Sequence, residues 1–321
     1  MLRITGLKKS YNNFPVLKHL NMSIDKGDVY GLMGTNGCGK TTTMNIICNI
    51  IPKDGGDIAF EEDNVKIGYL PEMPELYGYM NGFEYLEFIG ACCEYTGSIK
   101  DRTAEVLQIT GMADSASRFI KGYSRGMNQR IGIAAAIYSN PDLLILDEPT
   151  SALDPQGRAE VMEIIVKLAA SGSTIILCTH ILPDVERVAN KIGILRNGVM
   201  VIEGKLSEVL RSYGGGYAGI RVRLRYAPTP DDPLCGLDVV ERSVIGYDGL
   251  ILYAKPGVSE LALYNNVVIT LANNNILPES IEFTRMTLEQ IYLGVNNDMI
   301  KPAIDISLGG ERYEATNKGE L

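Results

Sequence analysis

Residues 34 to 41 read Gly-Thr-Asn-Gly-Cys-Gly-Lys-Thr, a complete G-x-x-x-x-G-K-[ST] phosphate loop, which requires a strand before it and a helix after it. Both flanks fit. Val29-Tyr30-Gly31-Leu32-Met33 is an apolar run of strand length, and the apolar spacing from Thr41 to Ile51 predicts the helix. Gly34, Gly37 and Gly39 allow the tight turns that aim backbone N–H groups at phosphate oxygens, and the positive end of the helix dipole adds to that field. Asn36 lies within the loop. Lys40 offers a point charge for the outer phosphates, Thr41 a hydroxyl for Mg²⁺, and Thr42 the next N–H of the first turn. Strand, glycine loop and helix in that order imply an open α/β sheet that binds a nucleoside triphosphate. At Cys38 a small side chain is all the loop needs, so the thiol implies no redox chemistry.

A chain of 321 residues has room for one large α/β domain and a smaller one. No segment reaches the roughly 18 uninterrupted apolar residues of a membrane span, and the first residues lack a signal-peptide pattern, so the expected location is cytoplasmic. The six cysteines, at 38, 48, 92, 93, 178 and 235, have no C-x-x-C spacing and are expected to be reduced core residues. A formal net charge of -9 argues against nonspecific nucleic-acid binding.

Short apolar runs alternate with turn residues from Met1 to Met33 and read as strands. From about Pro71 to Tyr123 the pattern becomes helical: Asn81 with Glu84 forms a capping-box start for a helix through Tyr95, and Asp101 to Gly111 reads as another. An alanine-rich helix follows the segment Ser124 to Arg130 and runs to about Ser139. Leu143-Leu144-Ile145-Leu146 and Thr174 to Thr179 are continuous apolar runs, as expected of parallel strands buried on both faces. Ile192 to Arg196 and Val199 to Glu203 flank Asn197-Gly198, a strong hairpin signal. The glycines at 214, 215 and 216 mark a break. Beyond it the pattern gives strands, a helix over Ser259 to Asn275, one more strand and a short helix from Thr287. Residues 296 to 321 are polar and lack a sustained period, which predicts a mobile tail.

Asp147 and Glu148 end a buried strand, at the sheet edge where open α/β folds bind ligands. Asp147 is the candidate metal partner and Glu148 the candidate general base. Ser124-Arg125-Gly126-Met127-Asn128-Gln129-Arg130 opens the alanine-rich helix, placing a hydroxyl and a flexible glycine at a helix N-terminus.

With those residues in place, positions 1 to about 215 resemble the ATP-binding-cassette ATPases. The order matches: phosphate loop, helical insertion, a signature ending in Gln129-Arg130, the acidic strand, an Asp-loop at Ser151-Ala152-Leu153-Asp154, and His180 after the next strand. The resemblance implies an α/β P-loop core with a helical subdomain at about 72–138, and the pattern beyond the glycine break adds a small C-terminal α+β domain. With the boundary at the glycines 214 to 216, the chain divides into an ATPase domain at 1–213, an accessory domain at 217–295 and the tail. The resemblance further implies ATP and Mg²⁺ as ligands, and a head-to-tail dimer, homomeric or with a related ATPase. Each ATP would then lie between one subunit's phosphate loop and the other's Ser124 and Gly126. Tyr11 matches the aromatic that stacks on adenine, His180 the switch that senses the γ-phosphate, and Glu72 the site of a metal-contacting glutamine. His19 reads as a surface residue.

Two departures stand out: Arg125 replaces a usual glycine and Met127 a usual glutamine, while Glu72 is a carboxylate that cannot donate a hydrogen bond when ionised. These variants resemble the bacterial drug- and sodium-export subclass. The implied partners are integral-membrane permease subunits that hold the ATPase on the inner face of the membrane, docked on the helical insertion after Glu72, with no nucleic acid. Two other readings compete: a soluble cassette ATPase acting on ribosomes or DNA, and a regulatory ATPase whose C-terminal domain senses a ligand. The first of these usually brings a second cassette, a long coiled-coil insertion or zinc-binding cysteines. Finally, Arg221, Arg223 and Arg225 alternate with Ile220, Val222, Leu224 and Tyr226, which predicts three arginines on one strand face, offset by nearby acidic groups.

Overall fold

The computed structural model describes residues 1–214, 219–255, 257–284 and 287–296. β1 (Leu2–Tyr11), β2 (Phe14–Ile24) and β3 (Val29–Met33) lead into α1 (Lys40–Ile47), with β4 (Gly55–Phe60) and β5 (Ile67–Leu70) after it. Helices α2 (Gly82–Cys92), α3 (Ile99–Ile109) and α4 (Arg125–Ala136) come next, then β6 (Leu143–Asp147), α5 (Pro155–Ala170), β7 (Thr174–Cys178) and α6 (Leu182–Val188). The hairpin β8 (Lys191–Arg196) and β9 (Val199–Lys205) precedes α7 (Leu206–Gly214). The remainder holds β10 (Gly219–Arg223), β11 (Val240–Ile245), β12 (Gly249–Ala254), α8 (Glu260–Asn273), β13 (Ser280–Thr284) and α9 (Leu288–Asn296).

The central sheet has the order β5-β6-β7-β3-β8-β9. Its first five strands run parallel and β9 closes the edge antiparallel. Every residue of β3, β6 and β7 is buried because both sheet faces are covered. Along β6, Leu144 and Leu146 join the core shared with α4, α5 and α6, while Leu143 and Ile145 join the one shared with α1 and the small antiparallel sheet β2-β1-β4. That period-two partition fixes the register, and it brings the carboxyl ends of three adjacent strands, β6, β7 and β3, to one edge.

The sequence expectations hold for most elements, with corrections at helix ends and at the cysteines; the helix expected through Tyr95 ends at Cys92, where Cys93 caps it. The helix after the loop ends at Ile47 instead of Ile51: Asn49 adopts φ 56°, and the amides of Ile50 and Ile51 turn back to the Asn45 carbonyl, which closes the helix ahead of Pro52. The alanine-rich helix ends at Ala136. Only Cys38 and Cys178 are buried; Cys92 and Cys93 are exposed at the end of α2, and all six thiols are free. The capping box of α2 forms as expected, with Asn81 Oδ1 accepting from Glu84 N and Glu84 Oε2 from Asn81 N. The β8–β9 turn places Asn197 and Gly198 at φ 51° and 79°, both positive as a primed turn requires. Gly215 and Gly216 and the predicted tail beyond Asn296 lie outside the described residues.

The third sheet, β11-β12-β10-β13, is antiparallel throughout. Ile220, Val222, Leu250 and Leu252 pack on Leu263, Val267 and Leu271 of α8. From the opposite face the Tyr253 hydroxyl donates to Gln290 Oε1 of α9 at 2.6 Å. α9 ties this sheet to the core: Glu186 of α6 accepts from Leu288 N at 2.7 Å, and Arg196 donates to the Val295 carbonyl at 2.9 Å. The expected row of three arginines contains two, because β10 ends at Arg223 before Arg225. Arg221 is the register partner of Glu282 in β13, and Arg223 Nε lies 3.9 Å from Asp248 Oδ2, so each of the two has an acidic residue of the same chain as a neighbour.

Candidate functional site

The phosphate loop connects β3 to α1 with a backbone that few side chains would allow. A Cβ on Gly34 would collide with Cys38 Sγ and the Leu195 carbonyl, and Gly39 sits at φ 114° as the N-cap of α1. Among the described residues no side chain caps that helix, so the N–H groups of its first turn remain available to an anion. Burial raises the pKa of the Cys38 thiol, which is therefore no ready nucleophile.

Lys40, 6% exposed, donates through Nζ to the Gly34 carbonyl at 2.8 Å and stands 3.8 Å from Glu148 Oε1. The Thr41 hydroxyl donates to Asp147 Oδ2 at 2.8 Å. Asp147 is buried at the end of β6, and its other oxygen, Oδ1, has no hydrogen-bond partner among the described residues. Burial raises its pKa above the usual carboxylate value; the Thr41 hydroxyl opposes that and the neighbouring Glu148 adds to it. A hard cation suits a pair of oxygen donors of this kind, and the orphaned Oδ1 beside the Thr41 hydroxyl is the feature that fits one.

Glu148 comes next at φ 48°, in the left-handed region that a non-glycine residue enters only when neighbours hold it there. Its amide donates to the Cys178 carbonyl at 2.8 Å, and its own carbonyl accepts from Ser151 N at 3.1 Å. The side chain turns into the site: Oε2 lies 2.9 Å from His180 Nδ1, in the loop after β7. Three adjacent strand ends thus supply the phosphate loop, the acidic pair and the histidine.

These residues surround one cleft of about 410 Å³, lined by Val16, Asn36, Gly37, Gly39, Lys40, Thr41, Thr42, Glu72, Glu148, Ser151 and His180. Asp147 is not in that lining and joins it through the Thr41 hydroxyl. Tyr11 is outside this lining, 45% exposed at the end of β1. Ser124 and Gly126 are also elsewhere: Ser124 caps α4, its hydroxyl accepting from Met127 N at 3.2 Å, and a Cβ on Gly126 would approach nothing closer than 3.7 Å.

Sequence reasoning missed the supports. Asp184 of α6, 4% exposed, accepts from Thr150 Oγ1 at 2.7 Å and from Arg158 NH2 at 2.8 Å, which bolts the segment after His180 to the one after Glu148. Gln129, 2% exposed, donates through Nε2 to the Glu72 carbonyl at 2.9 Å, linking α4 to the cleft rim. Partners 26, 34 and 57 residues apart leave no local pattern to read. Val16 was missed as well, since an intermediate strand position gives no signal.

A phosphate loop on one strand, an acidic pair on the second neighbour and a histidine between them define a P-loop nucleoside triphosphatase. A family model described as ABC transporter matches residues 17–151. The lantibiotic transport ATP-binding protein SrtF of Streptococcus pyogenes is 39% identical over 209 residues, covering 63% of this chain and 90% of that one. The linearmycin resistance ATP-binding protein LnrL of Bacillus subtilis is 36% identical over 225 residues, 67% of this chain and 72% of that one. Against an uncharacterized ABC transporter ATP-binding protein of Nostoc, 39% identical, the match spans 62% of that protein's length. Among solved structures, the dimeric post-hydrolysis state of the ATP-binding cassette MJ0796 bound to ADP and Pi aligns with TM-score 0.58 and 26% identity, covering 64% of this chain and 99% of that one. The chain belongs to the ATP-binding subunits of ABC transporters, a family of dimerising ATPases. No helix among the described residues is long and apolar enough to cross a membrane.

Proposed function

We propose that this chain binds ATP with Mg²⁺ in the cleft, hydrolyses it within a head-to-tail dimer, and powers export through separate permease subunits, as a peripheral protein on the cytoplasmic face. The observation that carries the reading is the meeting of Lys40, Glu148 and His180 around one cleft, with Ser124 and Gly126 outside it, so that a second chain is needed to complete the site. Residues 1–213 would form the ATPase domain, with its helical subdomain at about 72–138, and residues 217–295 the accessory domain.

In this mechanism the triphosphate seats on the loop amides and takes over Lys40 hydrogen bonds now made to the loop's own carbonyl. Glu148 accepts a proton from the attacking water, its Oε2 held by His180, while the water oxygen bonds to the γ-phosphorus and the bond to ADP breaks. Thr41 and Asp147, with Glu72 across the cleft, would hold Mg²⁺, which supplies neutralisation of charge on the β- and γ-phosphates. Tyr11 stacks on the adenine. Ser124 and Gly126 close on the γ-phosphate of the partner's ATP.

Export is favoured by the roles that two relatives are named for, linearmycin resistance and lantibiotic transport. A docking face for a permease is supported by aromatic side chains in the segment that follows Glu72 in the chain: Tyr79 is 71% exposed and stacks on Tyr77 at 5.7 Å between centroids, and Tyr77 meets Phe88 edge-on at 5.6 Å. The test is to purify the protein with its membrane partners from its native host and identify what co-purifies. A permease whose presence stimulates ATP hydrolysis is the expected result; a ribosome or DNA-repair protein in its place overturns the transport reading.

A further inference from the structure

β1 carries more at its end than Tyr11. A bulge at Gly6, at φ 60°, shifts the alternation of the strand by one residue, from Leu2 and Ile4 inward to Leu7 and Lys9 inward, and Tyr11 follows Lys9 by two positions on the same side. Lys9 is consequently 8% exposed, an unusual position for an ammonium. Two groups meet it. Nζ donates to Asp54 Oδ1 at 2.8 Å, and it lies over the Tyr11 ring, 5.5 Å from the centroid. The other Asp54 oxygen, Oδ2, accepts from Ser10 N at 2.6 Å, so one carboxylate fixes both the lysine and the backbone next to the tyrosine. Asp54 N in turn donates to the Lys8 carbonyl at 2.9 Å.

We infer that Lys9 and Asp54 are positioning residues for the nucleobase: Lys9 closes one face of the Tyr11 ring and leaves the other to an adenine, while Asp54 holds Lys9 in place. The inference rests on the reading of Tyr11 as the base-stacking residue. A cation on one face of an aromatic ring is attracted by its quadrupole, and this fixes the ring plane at no cost to the opposite face. Asp54 lies seven positions beyond α1, past the turn closed on Asn45, so the same short stretch joins the base platform to the helix that carries Lys40 and Thr41. The Lys9 and Asp54 charges cancel, which leaves the platform neutral toward the triphosphate and makes its contribution specific to the base.

The experiment is calorimetric titration of the full chain with ATP and, separately, with inorganic triphosphate, which has no base. Lys9→Met keeps the aliphatic stem and is expected to weaken ATP binding about fivefold while triphosphate binding stays at the wild-type value. Lys9→Arg should restore the ATP affinity, and Asp54→Asn should reproduce the Lys9→Met loss. In a Tyr11→Ala background Lys9→Met should have no further effect. Equal losses for ATP and triphosphate in Lys9→Met, or none for either, overturn the inference. If Tyr11→Ala itself leaves the ratio of the two affinities unchanged, the stacking role of Tyr11 fails first, and the positioning role with it. Should Lys9→Met not fold, the Asp54→Asn and Lys9→Arg ratios decide the question.

Discussion

Asp147 and Glu148 are adjacent carboxylates whose surroundings push them toward different work. Glu148 faces the cleft with His180 on one oxygen and Lys40 near the other, which keeps a proton acceptor poised over the phosphate loop. Glu148→Gln preserves the shape but removes the acceptor, so ATP binding should persist and hydrolysis fall about 10²-fold or more. Phosphate release and equilibrium nucleotide binding on the same preparation check this; turnover near wild type would remove Glu148 from the mechanism. Asp147 is buried with one oxygen unpaired among the described residues, and its raised pKa reflects burial that works against its charge. Asp147→Asn should therefore leave the melting temperature of the nucleotide-free protein unchanged or higher while abolishing Mg²⁺-stimulated hydrolysis. A lower melting temperature with Mg²⁺ stimulation intact would assign Asp147 to the fold instead.

At the scale of elements, α6 couples the segment after His180 to the segment after Glu148. Its Asp184 is the shared acceptor of Thr150 and Arg158, and losing a buried acceptor strands both donors. Because Arg158 is 36% exposed at its side chain, water relieves part of that cost, and Asp184→Ala should destabilise the protein by about 1–3 kcal/mol. Hydrolysis should drop more than ATP affinity, since the phosphate loop is untouched. Urea titration beside steady-state kinetics measures both, and an unaltered stability would dismiss the clamp. These long-range bonds mark the limit of what could be read from the chain. The β3, β6 and β7 runs, the Asn81 capping box and the Asn197-Gly198 turn were legible because each is a local pattern with one physical solution. The early end of α1 was not, because Ile50 and Ile51 continue the apolar spacing while Asn49 takes the left-handed conformation that stops the helix. Arg158 and Asp184 belong to different helices, and only the packing of α5 on α6 shows that they meet.

Across the whole molecule, the two halves of the proposed reaction centre lie on different surfaces of one chain. Lys40 lines the cleft, and Ser124 caps α4 outside it, at an exposed position. A head-to-tail pair of chains would place each Ser124 against the other's phosphate loop, and that arrangement separates lesions that act on the chain's own ATP from lesions that act on its partner's. Lys40→Ala removes the charge that reaches the outer phosphates, so the variant should lose nucleotide affinity as a monomer. Ser124→Arg puts a long cation at the helix N-terminus, where the dipole already opposes it, and obstructs the approaching phosphates; ATP binding to the monomer should be normal and ATP-driven dimerisation absent. Mixing the two variants leaves one intact composite site per heterodimer, built from the loop of the Ser124→Arg chain and the α4 terminus of the Lys40→Ala chain. ATP-dependent mixed dimers should therefore appear in analytical ultracentrifugation with differently labelled chains, although neither variant dimerises alone. If mixing yields none while each variant retains its wild-type melting profile, the nucleotide is not shared between chains in this way.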